Sequence, residues 1–258
     1  MERIRIEINN KMKVYNKQFT QEHLDNCATI KDRSLAQFNL TPANNICIII
    51  EKLKDTTHLE GDYVECGTFK GNTLIPAALS SDNGRTLFGI DTFEGFPFTE
   101  HHPKDLPSYF EVLYGEGKIS EDHYHKAKLR TKDFTDLSHL ENEYFLNVDE
   151  VFSNCEQFPN IKLLKGSFDE VTPKFEGKIS VLHLDGDLYQ SYLTCLINLY
   201  DNVIEGGYII FDEYYSHKYP GARVAVDEFF EDKTDQGHFE MYVTEEGHER
   251  WCFKKLKQ

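Results

Sequence analysis

Among its six cysteines (Cys27, Cys47, Cys66, Cys155, Cys195 and Cys252) the chain has no Cys-x-x-Cys pair. Such a scatter is the spacing of neither a zinc site nor a disulfide framework, and it reads as reduced thiols in a cytoplasmic protein. No stretch reaches the ~20 consecutive apolar residues of a membrane-spanning helix. The opening MERIRIEINNKMKVYNKQ lacks the apolar core of a signal peptide. A soluble protein without a membrane partner is expected. Nor is there a basic stripe: 28 basic residues stand against 44 acidic ones, for a formal net charge of -16. That excess repels phosphate backbones and sets nucleic acid aside as a partner, while remaining compatible with cations and neutral sugars.

What is present is an alternation of strands and helices. Apolar residues make up 40% of the 258, enough for a core, and neither repeats nor low-complexity tracts interrupt them. Residues 1–60 begin polar and then read as helical through TPANNICIIIEKLKDT. A short strand over Tyr63–Cys66 follows, then a glycine-bearing turn and a helix through LIPAALS. TLFGID, IKLLKG and ISVLHLD are further strands. The spacing of Leu193, Leu196, Ile197, Tyr200, Val203 and Ile204 predicts a helix ending at Gly206-Gly207. YIIFDEYY is a strand, GARVAVDEFFEDK a helix, and FEMYVTEEG with ERWCFKKL a closing antiparallel hairpin. The pattern predicts one α/β domain, a mostly parallel sheet with helices on both faces. Residues 98–150 have a different texture, charged with interspersed aromatics, and read as a lid-like excursion.

Ligands of such sheets collect where strands reach their carboxyl ends, and Glu65, Asp91, Asp185 and Asp212 all fall there. The turn Glu65-Cys66-Gly67-Thr68-Phe69-Lys70-Gly71-Asn72-Thr73 lets backbone approach a ligand at a helix N-terminus. Its G-x-x-x-G spacing is not the G-x-G-x-x-G of dinucleotide folds, which disfavours a nicotinamide cofactor. A carboxylate at Asp91 suits a ribose, so turn and carboxylate together favour an adenosine-bearing cofactor. In the second half, one helix and one turn separate Asp185 from Asp212, which sets the two strand ends side by side. Asp187 and Glu213 lie within two residues. Four carboxylates in one crevice repel unless a hard divalent cation such as Mg²⁺ holds them.

VECGTFKGNT, GIDTFEGFP, KGSFDEVTP, LHLDGDLYQS, GGYIIFDEY and PGARVAVDEFF together resemble the macrocin O-methyltransferase family, in order over roughly residues 40–230. The resemblance implies a Rossmann-like class I methyltransferase fold with a seven-stranded sheet, and S-adenosylmethionine- and Mg²⁺-dependent methylation of sugar hydroxyls. It implies Asp185, Asp212 and Glu213 as metal ligands and Asp187 as general base. It places the cofactor over Glu65, Gly67, Thr68, Gly71, Asn72 and Thr73, with Asp91, Thr92 and Phe93 at the ribose and Gly166-Ser167 near the adenine. It also hints at a homo-oligomer, dimer or larger. Two departures stand out: Glu213 replaces the family's usual second aspartate, and residues 98–150 have no match. A metal-dependent phosphoester hydrolase or a non-catalytic nucleotide-binding protein would use the same acids differently.

Other polar residues read more simply. His183 faces the same way as Asp185 by alternation and reads as packing behind it rather than as a ligand. His101 and His102 read as loop residues, and His123 and His125 as surface residues rather than metal ligands. His217 is a candidate for acceptor contact or for the base, Arg223 and Asp227 line the acceptor cleft or form a surface pair, and Tyr189 and Tyr192 serve packing or substrate contact.

Overall fold

ISVLHL is apolar without alternation because its strand is covered on both faces. In the computed structural model, which describes residues 12–81, 84–96, 101–130, 148–244 and 247–257, this run is β5 (Ile179–Leu184), and each of its residues is buried. It pairs in parallel with β2 (Asp62–Cys66) on one side and β6 (Val203–Phe211) on the other. Beyond β2 lie β3 (Leu87–Asp91) and β4 (Ile161–Lys165), also parallel. Beyond β6, β8 (Glu249–Lys255) and β7 (Gly237–Val243) close the sheet as an antiparallel hairpin.

An edge strand, β1 (Val14–Lys17), adds to β7 in parallel, making eight strands in the order β1-β7-β8-β6-β5-β2-β3-β4. The sheet is thus one strand wider than the expected seven. Strand order reverses between β2 and β5, and that is where a doubly wound sheet opens a crevice at its carboxyl end.

Before β2 run α1 (Gln21–Phe38) and α2 (Ile46–Asp55). Thr20 caps α1 by accepting the His23 amide, and Asn39 ends it in the left-handed region. The helices are joined by a Cys27–Cys47 disulfide, with Cα atoms 5.3 Å apart. This corrects the reading of six free thiols. Packing of the two helices brings together residues 20 apart in sequence, which spacing alone does not reveal. Cys66, Cys155, Cys195 and Cys252 are free and buried.

The helix expected through Ile204 stops earlier. After α3 (Leu74–Ser80), α4 (Tyr109–Gly115), α5 (Glu121–Arg130), α6 (Val148–Glu156) and α7 (Phe168–Val171), α8 spans Tyr189–Leu199. A 3-10 turn over Tyr200–Asn202 then leads into β6 at Val203. Val203 belongs to the sheet, so Gly206-Gly207 lies inside a strand. The last helix, α9, is Pro220–Phe229.

Residues 101–130 of the charged excursion carry a 3-10 turn, α4 and α5, and bury Phe110, Leu113, Ile119 and Ala127 in the core. Asp105 anchors the segment: its carboxylate accepts the Tyr189 amide at the start of α8 (2.8 Å). Gly221 has no side chain there for a reason, since a Cβ would fall 1.9 Å from Asp105 Oδ1. Burial pushes the Asp105 carboxyl up to about 6. The stretches 97–100 and 131–147 of the excursion, and residues 1–11 of the N-terminal segment, lie outside the described residues.

Lys52, on α2, is 1% exposed and ties that helix to the sheet. Its ammonium donates to Glu240 Oε2 (2.9 Å), Tyr242 Oη (2.6 Å), Glu51 Oε1 (3.2 Å) and Asp55 Oδ2 (3.1 Å). Burial alone would raise the Glu240 carboxyl, but His238, Lys52 and Lys17 hold it down at about 2. Removing one member of such a network strands the others as buried charges. Lys52→Met should therefore lower unfolding stability by about 3–5 kcal/mol in urea titrations, and Lys52→Met with Glu240→Gln should recover part of it.

Candidate active site

Backbone ladders run on past the strand ends and draw the acids together. The Gly67 amide donates to Ile90 O (2.9 Å), the Asp185 amide to Cys66 O (2.9 Å), the Asp212 amide to Leu184 O (3.0 Å) and the Gly166 amide to Asp91 O (3.0 Å). Each residue just beyond one strand is tied to the last turn of its neighbour. Gly67 must be glycine: its φ is +99°, and a Cβ would sit 1.9 Å from Asp185 O.

These ends form one wall of a cavity of about 930 Å³, at the upper end of ligand-site sizes. Gly67, Thr68, Asn72, Thr73, Asp91, Thr92, Phe93, Asp185, Asp187, Asp212 and Glu213, all candidates from the sequence, line it together. Gly71, Gly166 and Ser167 do not. Gly71 turns the chain into α3, its amide bonded to Thr68 O (2.7 Å). Ser167 caps α7 in a box with Glu170, and the next residue, Phe168, reaches the cavity in its place.

Glu65 also lies off the cavity, with 0% exposure. It accepts a hydrogen bond from Tyr63 Oη (2.7 Å) and faces His183 Nδ1 (3.2 Å). The strand register sets it opposite His183, so its carboxylate points along the sheet rather than at a ligand.

Asp91 uses part of its carboxylate on the protein. The Phe69 amide donates to Oδ2 (2.8 Å) and the Phe93 amide to Oδ1 (2.7 Å), orienting both turns. Phe69 and Phe93 adopt φ of 47° and 54°, left-handed conformations that these bonds support.

The second acid group is crowded. A ring nitrogen of His183 and one carboxylate oxygen each of Asp185 and Asp212 lie within 4.8 Å of one another. His183 Nδ1 is engaged by Glu65 and Tyr63, while Nε2 is buried with no hydrogen-bond partner among the described residues. The predicted facing of His183 toward Asp185 is thus observed. Glu213 accepts from Tyr192 Oη (2.5 Å) and adjoins both aspartates. Burial raises the carboxyls of Asp185 and Glu213 well above their usual range, and the neighbouring acids add to it. Burial also pushes Asp187 up to about 7; Lys218 opposes this, Asp212 adds to it, and a Tyr219 hydrogen bond opposes it. Asp187 has φ of 61°, a left-handed backbone that few non-glycine residues adopt outside functional turns.

Asn45, which sequence reasoning missed, donates from Nδ2 to Asp212 Oδ1, and its own Oδ1 is buried without a partner among the described residues. Nothing in its NICIII context marked it; only the packing of α2 against β6 brings it there.

The family model for macrocin-O-methyltransferase (TylF) matches residues 120–238. Over that span, a little under half of its length, the chain is similar to the macrocin O-methyltransferase family. Demethyldecarbamoylnovobiocin O-methyltransferase of Streptomyces niveus is 28% identical over 67% of this chain and 59% of its own length. A tetracenomycin-C 4'-O-methyltransferase of Streptomyces olivaceus is 27% identical over 60% of this chain and 53% of its own. The chain therefore spans under two thirds of the curated relatives it matches. The solved structure of the calicheamicin methyltransferase CalS11 superposes with a TM-score of 0.54 at 16% identity, over 92% of this chain and 93% of that one. The shared fold is the Rossmann-like fold of class I methyltransferases, as the resemblance implied.

The span of the macrocin O-methyltransferase match contains Asp185, Asp187, Asp212 and Glu213 but starts after the Gly67–Thr73 turn. It also contains Arg130, His217 and Lys218 of the cavity lining. His123, read from sequence as a surface residue, is 2% exposed, its ring 4.5 Å from that of His217. His123 Nε2 pairs with Ser216 O (3.0 Å). Tyr192 is buried beneath Glu213, and Tyr189 bonds Glu228 (2.8 Å), so neither faces the cavity. Arg223 and Asp227 form a buried pair (3.8 Å) behind Tyr214, away from the cleft where they were candidates.

Burial, then His217 and Arg223, hold the His123 imidazole down at about 3, with Asp122 opposing. Its folded value is depressed, so between about pH 3 and its unfolded value near 6.5 the unfolded chain binds the extra proton. Stability is thus lost as pH falls through that window. Wild-type stability in urea should drop relative to His123→Gln by about 1.4 kcal/mol per pH unit below about 6.5.

Proposed function

We propose that the chain transfers a methyl group from S-adenosylmethionine to a hydroxyl of a sugar or glycoside, with a divalent cation and with Asp187 as general base. One observation carries this reading: Asp185, Asp187, Asp212 and Glu213 converge at the switch-point cavity, beside the Gly67–Thr73 turn and Asp91. The names of the relatives, all sugar or glycoside O-methyltransferases, support it.

The donors fit a cation. Carboxylates of Asp185 and Asp212, the adjoining Glu213 and the unpartnered Nε2 of His183 form an oxygen-rich set that suits Mg²⁺. Glu65, on the far nitrogen of His183, orients that ring as a carboxylate behind a metal-binding histidine does. The cation would lower the pKa of an acceptor hydroxyl and offset the repulsion among the acids.

S-adenosylmethionine would supply the electrophilic methyl, bound by Gly67, Thr68, Asn72 and Thr73 with its ribose at the free lone pairs of Asp91. Glu65, Gly71, Gly166 and Ser167 serve by shaping that cradle. Asp187 takes the hydroxyl proton as the acceptor oxygen attacks. Its position beside Lys218 and Tyr219 keeps a carboxylate available near neutral pH, where a base works best. The whole chain acts as one domain in this reading.

Calorimetry should show S-adenosylhomocysteine binding in the presence of EDTA, weakened in Asp91→Ala by about 1.5–3 kcal/mol through loss of charge-assisted hydrogen bonds. Absence of that binding would overturn the methyltransferase reading. Asp187→Asn should bind S-adenosylhomocysteine normally and turn over about 10²–10⁴-fold more slowly, with no rescue by excess Mg²⁺. Asp185→Asn should instead raise the Mg²⁺ concentration needed, and full rescue of Asp187→Asn would move the base elsewhere.

A further inference from the structure

The cavity lining carries both signs of charge. Carboxylates gather at the strand ends, and the same lining includes Arg130, His217, Lys218, His248 and Arg250. Three separate segments deliver these cationic or protonatable groups. Arg130 ends α5 of the excursion, His217 and Lys218 follow β6, and His248 and Arg250 come from the β7–β8 hairpin. His248 immediately precedes β8 and Arg250 is its second residue.

They are close enough to act on one another. The His217 ring lies 6.2 Å from that of His248. Burial first, then His248, Lys126 and Arg130, hold the His217 imidazole down at about 4. Neither Arg130 nor Arg250 forms an ion pair with any described residue, and Arg250 Nε is buried without a hydrogen-bond partner among them.. In a chain of net charge -16, two guanidiniums with no carboxylate partner among the described residues line the same cavity. A neutral sugar gives them nothing to neutralise.

Resting on the methyltransferase reading, we propose that the acceptor carries a phosphate or diphosphate group. Arg130 and Arg250 hold it, with His217 and His248 beside them, while the sugar hydroxyl lies at Asp187. Guanidinium forks match phosphate oxygens two at a time, which fixes the orientation of the acceptor as well as its affinity. Lys218 spans the two regions, since it also acts on Asp187. The acceptor class is therefore a phosphorylated sugar, either a sugar phosphate or a nucleoside-diphosphate sugar, rather than the neutral glycoside that the overall acidity suggested. The reaction that supplies it is a phosphoryl transfer onto a sugar or a nucleotidyl transfer onto a sugar phosphate.

The test titrates inorganic pyrophosphate and UDP into the full chain saturated with S-adenosylhomocysteine, in EDTA so that no metal bridges the anion. Both probes should bind, more weakly as salt rises. Arg250→Gln should weaken pyrophosphate at least tenfold, Arg130→Gln with Arg250→Gln about a hundredfold, and Arg250→Lys less than Arg250→Gln. Unchanged thermal melting and S-adenosylhomocysteine affinity in these variants separate a lost site from a lost fold. UDP binding tenfold tighter than pyrophosphate supports the nucleoside diphosphate source; equal binding supports the sugar phosphate. No pyrophosphate binding, equal binding by the double variant, or displacement of pyrophosphate by S-adenosylhomocysteine overturns the proposal, the last because the arginines would then serve the cofactor's carboxylate. Failure of S-adenosylhomocysteine itself to bind would instead sink the methyltransferase reading.

Discussion

Like charges that cannot separate are the constraint around which this molecule is arranged. Asp185, Asp187, Asp212 and Glu213 stand at adjacent strand ends, where burial raises the carboxyls of Asp185, Asp187 and Glu213. A fold tolerates such a cluster only when something offsets it. The surrounding structure does so in part. Tyr192 donates to Glu213, Asn45 to Asp212, and Lys218 and Tyr219 act on Asp187. The repulsion these groups leave is what the proposed cation would offset, and His183 Nε2, without a hydrogen-bond partner among the described residues, adjoins the same group.

The sheet makes the crowding unavoidable. Continuous ladders through Gly67, Asp185 and Asp212 leave no freedom for the strand ends to splay, so side chains two residues apart in sequence and strands apart in space meet in one volume. The left-handed backbone at Phe69, Phe93 and Asp187 belongs to the same economy: the turns are bent to aim amides and carboxylates inward. Strain is concentrated where a ligand is expected, and the buried runs of β5 and β2 provide the rigidity that supports it.

Much of this was legible in the sequence because its signals are local. An apolar run followed by DGD names a buried strand and its end, and a glycine pair around Thr68 names a turn. The placements of Asp91, Asp185, Asp187 and Asp212 followed from those signals. What was not legible depended on partners distant in sequence. Glu65 looks like a site acid until the register with His183 is known, and only then does its burial follow. Asn45 and the Cys27–Cys47 bond depend on how α1 and α2 pack. The end of α8 was misplaced because Val203 and Ile204 fit a helical face as well as a strand, and periodicity alone does not separate the two at a boundary.

The helix α2 is held at both ends. At its first turn Asn45 touches Asp212, and toward its last turn Lys52 grips Glu240 on β7. Ten residues of helix span about 15 Å, so this element is a short strut pinned at the acid cluster at one end and at the outer hairpin at the other. The hairpin is also the source of His248 and Arg250. The segment before β2 is therefore part of the cavity wall, through Ala43 and Asn44. A minimal core cut at residue 60 would keep the sheet order from β2 onward and lose the two ties, Asn45 to Asp212 and Lys52 to Glu240, that link the acid cluster to the outer hairpin.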